Sequence, residues 1–204
     1  MNTLDQYNAL IQSAIINYPA SPMQETPQQY QRRILGYSAN QDPLKILRAT
    51  PNDITRLIRG LSKKQMRQRP APRKWSVAEI IAHLADTELA IGFRYRQALS
   101  RSGIALQAFD QEAWASAGKY TTIDPRDSFA LFRAIRAANI RLLRMMPRSR
   151  WSFYGIHEER GKETMRTMAL LEAGHDINHL RQIERIAIHL KRRKSQRSST
   201  NTAL

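Results

Sequence analysis

His83, His175 and His179 are the residues of this chain whose type and spacing could do chemistry. Two imidazoles spaced H-x3-H lie one above the other on a helix face, and a third from a neighbouring helix completes a tripod for a divalent ion. The chain has no cysteine, which excludes disulfides, thiolate ligation and a cysteine nucleophile. Any metal must therefore rest on His, Asp or Glu. Three neutral imidazoles leave the ion's charge uncompensated, so a bound water would be acidified to a pKa of about 7, or an incoming thiol bound as thiolate. The stretch His175-Asp176-Ile177-Asn178-His179 approaches the zinc-protease pattern H-E-x-x-H, but Asp176 is one methylene shorter than the glutamate that chemistry needs. Spacing alone leaves open the plainer alternative, a core histidine satisfied by hydrogen bonds.

Helices must position these side chains. Ser76 followed by Glu79 forms a capping box for a helix to about Ser102, on which His83 shares an arc with Ile80, Thr87 and Ala90. A last helix, from about Glu163 to Lys191, places His175 and His179 with Met168, Leu171, Gln182 and Ile186. Between the two, Asp124-Pro125 starts a helix over 125–146 that Pro147 stops. Asp42-Pro43 offers an earlier start, which Thr50-Pro51 interrupts, leaving Asp53 to Leu61 as the more regular part. Residues 4–18 repeat apolar positions at helical spacing up to Pro19, and 19–42 reads as a connector with one helical turn. Convincing strand alternation is missing. The pattern predicts an all-α protein, an antiparallel four-helix bundle over 43–190 with an N-terminal helical extension over 1–42. A basic, disordered tail is expected over 191–204.

The runs around the histidines carry a resemblance. Trp75-Ser76 through Glu79, His83-Leu84, Asp86 and Glu88, then Gly174-His175-Asp176 through His179-Leu180, Gln182 and Ile183, resemble the DinB/YfiT-like superfamily of metal-binding four-helix bundles. The similarity spans about residues 43–190 and includes Ala49-Thr50-Pro51 and Leu61-Ser62. The resemblance implies one histidine from the second core helix and two from the fourth on a divalent ion, with positions open to water or substrate. His83, His175 and His179 match. It also implies nickel or zinc as the usual ion and, in characterised members, a low-molecular-weight thiol that is transferred to an electrophile or used to isomerise a substrate. The expectation for this chain is metal-dependent thiol transfer or hydrolysis on a small molecule, with manganese or iron as further options.

Other residues receive expectations by position. Asp86, three after His83, is a candidate to hold a ligand's ring; Glu88 falls toward the other side, for a surface or interhelix ion pair. Arg94, eleven after His83 on much the same face, and Trp114, on the long connection, are candidates to bind substrate. His157 is expected on an exposed loop and His189 at a solvated helix end.

The formal charge of +16 admits a rival. Lys191, Arg192, Arg193, Lys194 and Arg197 supply five charges, and Arg133, Arg136, Arg141, Arg144 and Arg148 spread over an arc of roughly 140° at 100° per residue. Such a stripe could track phosphates, making a basic nucleic-acid-binding or stress-related module in which a metal is structural. Helix-turn-helix, RNP and zinc-finger patterns are all missing, and a charge stripe is usually a solvated face, so nucleic acid ranks below the metal. A membrane span and a secretory leader are also missing from the pattern, which predicts a cytoplasmic protein; the extension could make a homodimer.

Overall fold

The computed structural model describes residues 25–201, with side chains through Arg192. The expected helix over 4–18 lies outside the described residues. Its helices are α1 (Pro27–Ser38), α2 (Pro43–Ile58), the single turn α3 (Lys63–Met66), α4 (Val77–Ser100), α5 (Gln111–Ala117), α6 (Pro125–Met145) and α7 (Met165–Asn201). Three short strands accompany them: β1 (Ile104–Leu106), β2 (Tyr154–His157) and β3 (Gly161–Thr164).

Capping chemistry sets the starts of the long helices. Ser76 Oγ accepts from the Glu79 N–H at 3.3 Å, and Glu79 Oε2 accepts from the Ser76 N–H at 2.8 Å, so α4 opens on the expected box. Asp42 and Asp124 cap α2 and α6, each with proline at the first helical position. Residues 27–38 differ from the expected connector: Thr26 and Gln29 form a capping box and α1 runs for 12 residues. Helix α7 extends to Asn201, beyond the point where the basic tail was expected to begin.

Pro51 does not interrupt α2, contrary to the sequence reading. A proline inside a helix lacks the N–H that would bond the carbonyl four residues back, here Leu47. Arg136 Nη1 of α6 donates to that carbonyl at 3.0 Å, and the helix continues.

Helices α2, α4, α6 and α7 form the bundle. Tyr95 of α4 meets Glu172 while His83 meets His175 and His179, so α4 and α7 run antiparallel. By contrast Thr50 meets Asp176 and Leu57 meets Lys191, so α2 and α7 run in the same direction, as do α4 and α6. Parallel neighbours need a connection that returns the length of a helix. Residues 101–124, between α4 and α6, provide it and hold β1 and α5. The β strands form one sheet, β1 parallel to β2 and β2 antiparallel to β3. Strands of three or four residues are too short to declare a two-residue period, which is why the sequence pattern missed them.

The interior has three layers. One apolar cluster contains Ile54, Ile80, Ile81, Leu84, Phe132 and Ile183; the other contains Leu47, Tyr95, Leu106, Leu143 and Met168. Between them each bundle helix contributes buried polar side chains: Thr50, His83 and Glu88, Arg136 and Asn139, and then Glu172, His175, Asp176 and His179.

Candidate metal centre

His83, His175 and His179 meet in this polar layer as the sequence spacing anticipated. His175 Nε2 lies 3.0 Å from His83 Nε2 and 3.1 Å from His179 Nε2. A single lone pair or a single N–H on His175 Nε2 cannot serve both contacts well as hydrogen bonds. Nitrogens each about 2.0–2.1 Å from a common ion are about 3 Å apart, the separation of both these contacts. One nitrogen from each ring lies within 4.8 Å of the others.

Their electrostatics point the same way. Burial, with His179 nearby, holds His83 well below the usual imidazole range; burial, then His179 and His83, does the same to His175. Burial brings His179 down to about 4 against the opposing pull of its bond to Gln182. All three rings are therefore neutral at pH 7, with lone pairs free. His179 Nδ1 donates to Gln182 Oε1 at 3.0 Å, which places its proton on Nδ1 and leaves the Nε2 lone pair facing the other rings. Trp75 packs on His83 with ring centres 4.9 Å apart.

A cavity of about 240 Å³ opens beside His83 and His175, walled by Tyr30 and Ile34 of α1, Arg94 of α4, His157 of the β2–β3 hairpin and Glu172 of α7. Arg94, on the His83 face of α4, stands in the cavity wall. Trp114 does not line this cavity; it packs on Phe109 with ring centres 4.6 Å apart and walls a neighbouring pocket. Asp86 accepts from Tyr120 Oη at 2.5 Å and bonds none of the three histidines, so its expected part as a ring-holder falls to Gln182. His157 is buried rather than exposed, because β2 turns it inward. His189 is half-buried.

Two groups escaped sequence reading. Arg136, counted in the arginine stripe, is fully buried at the bundle centre, 2.6 Å from Glu88, 2.6 Å from Asp176 and 3.4 Å from Glu172. Its spacing from Phe132, Asn139 and Leu143 was the available signal, since all four share the inward arc. Glu88 consequently makes an interhelix ion pair rather than a surface one. Glu172 accepts from Tyr95 Oη at 2.5 Å, and burial, then the Glu88 carboxylate, raises it well above the usual carboxylate range. It sits three residues before His175, on the same helical face. Arg133, Arg141 and Arg144 remain on a groove between α2 and α6 with Arg48.

Fold and site together define a four-helix bundle with a buried histidine triad at its polar layer. A profile of the DinB superfamily matches residues 46–183, and the chain belongs to that superfamily. It is 22% identical over 146 residues to the Bacillus subtilis protein named "Putative metal-dependent hydrolase YfiT", an alignment covering 71% of this chain and 82% of the relative. A Geobacillus kaustophilus protein with the same description is 24% identical over 131 residues, 64% of this chain and 70% of that one. The solved structure of YfiT, described as a probable metal-dependent hydrolase with an unusual four-helix bundle topology, superposes with a TM-score of 0.65. That match has 20% identity and covers 83% of this chain and 90% of the other.

Proposed function

We propose that the chain is a metal-dependent enzyme in which His83, His175 and His179 hold a divalent ion, nickel or zinc in the first instance, and the adjoining cavity takes a small molecule. The convergence of three Nε2 atoms, one of them fixed in tautomer by Gln182, carries this reading. An ion there would supply a Lewis acid that makes a water or a thiol nucleophilic at neutral pH, for hydrolysis or thiol transfer. The chain's own residues supply the rest. Glu172, whose carboxyl is raised above the usual range by burial and by the Glu88 carboxylate, stands in the cavity wall. Tyr30 and Ile34 close the side that α1 covers and limit water in the cavity. The names of the DinB relatives support the hydrolase arm.

Elemental analysis of untagged protein tests the first part: about one equivalent of metal is expected, lost in His83→Ala with helix content kept. A screen of ester hydrolysis and thiol conjugation on the loaded protein tests the second. A folded chain that neither retains nor takes up metal would overturn the proposal. Retention on DNA at physiological salt that survives His175→Ala would favour the basic-module alternative. Loss of stability on metal removal, with no activity in either screen, would make the ion structural.

A further inference from the structure

Two buried polar groups in the cavity wall are left without the partner their chemistry requires. Arg94 is 7% exposed; its guanidinium donates to Gln107 O at 2.5 Å and lies 5.7 Å from the centre of the Phe109 ring. Among the described residues no carboxylate stands within ion-pair distance of it. His157 is 1% exposed, and its Nδ1 accepts from the Glu159 backbone N–H at 3.2 Å. A neutral imidazole that accepts at Nδ1 carries its proton on Nε2. That Nε2 has no acceptor among the described residues. Burial brings His157 down to about 4, so the ring is a neutral donor at pH 7.

An unpaired buried cation and an unfilled buried donor are both unfavourable, and one anion answers both. Both side chains line the cavity that also exposes His83 and His175, and the charge of Arg94 is felt at His157. The remaining charged groups on this wall are committed or peripheral. Arg160 is bound to Glu163 at 2.6 Å, the Glu159 side chain is exposed at the rim, and Glu172 is committed to Tyr95 Oη at 2.5 Å and to Arg136 at 3.4 Å.

We propose that the cavity recognises a small organic substrate by a single carboxylate, held between the Arg94 guanidinium and His157 Nε2–H, with the remainder of the molecule directed toward the His83–His175 wall. The inference rests on the reading of this cavity as the substrate site. One uncommitted positive charge beside a neutral donor matches a carboxylate monoanion rather than a phosphate dianion. A volume of about 240 Å³ restricts the ligand to a small molecule.

Titration of butyrate, butyramide and inorganic phosphate, followed by NMR on the zinc-loaded and the metal-stripped protein, tests this. Butyrate should bind both forms, about tenfold weaker in Arg94→Gln and in His157→Phe, and close to wild type in Arg94→Lys. Butyramide and phosphate should bind at least about tenfold more weakly than butyrate to the wild-type chain. Equal binding of butyramide, tighter binding of phosphate, no binding of butyrate, or butyrate binding that needs zinc and ignores Arg94→Gln would each overturn the assignment. Circular dichroism checks folding; if Arg94→Gln does not fold, the butyrate–butyramide difference on the wild-type chain decides. Zinc stoichiometry is measured on the same samples. A chain that takes no zinc but binds butyrate as expected loses the metal reading and keeps this one, and the converse result does the reverse.

Discussion

At the residue scale the histidines do their work by being uncharged. His179 titrates near 4 in the fold against an ordinary imidazole value near 6.5, so the unfolded chain takes up a proton that the fold does not. The sign follows: full stability above about pH 6.5, progressive loss as pH falls to about 4, with up to about 3 kcal/mol at stake. Urea melts of metal-free wild type and His179→Gln should therefore show a stability difference that moves against the wild type as pH drops through that window. A difference independent of pH would mean the ring is already solvated. Arg136 supplies a second prediction. Removing its guanidinium in Arg136→Met strands Glu88, Glu172 and Asp176 and frees the Leu47 carbonyl, with an expected loss of about 3–5 kcal/mol in chemical denaturation. A solvated stripe arginine would cost under about 0.5 kcal/mol.

At the element scale, α1 turns an open bundle flank into a cavity. Its contact with α7 requires Gly174, where an added Cβ would lie 2.0 Å from the Ile34 carbonyl oxygen. Backbone cannot yield there as a flexible side chain would. Gly174→Ala should push α1 away from the residue next to His175, destabilise the fold by about 1–3 kcal/mol and speed amide exchange across residues 27–38. Unchanged exchange there would show that α1 is held by its polar ties alone, such as Ser38 Oγ to the Leu170 carbonyl at 2.8 Å. The starts of α4 and α6 were legible because Ser76, Glu79, Asp124 and Pro125 act locally. The course of α2 through Pro51 was not, because the donor that replaces the missing N–H comes from residue 136. His157 was misplaced for a similar reason: its burial is decided by pairing of β2 with β1 and β3, not by its neighbours in sequence.

At the scale of the whole molecule, the triad was legible because helical spacing aligns His175 with His179 and the surrounding motif specifies its partner on α4. The cavity was not legible, because its walls come from α1, α4, a hairpin and α7, segments that only the folded chain brings together. Among the described residues no helix is long and apolar enough to cross a membrane. Metal held by the three histidines should be felt by the entire fold, since they join α4 to α7. At free metal about 1,000 times Kd the linkage amounts to about 4 kcal/mol, which should appear as a rise in Tm of about 10 °C over chelator-treated protein. An unchanged Tm would place any bound metal outside the triad.

The polar layer also bears on how the chain folds. Arg136 touches carboxylates on α4 and α7 and a carbonyl on α2, so its full set of partners exists only when all four helices are docked. A half-assembled bundle would hold desolvated charge without its counter-charge, and such a species lies high in free energy. The two apolar clusters on either side, which could otherwise collapse separately, are thereby bound to one another in time, and the chain should unfold in a single cooperative step.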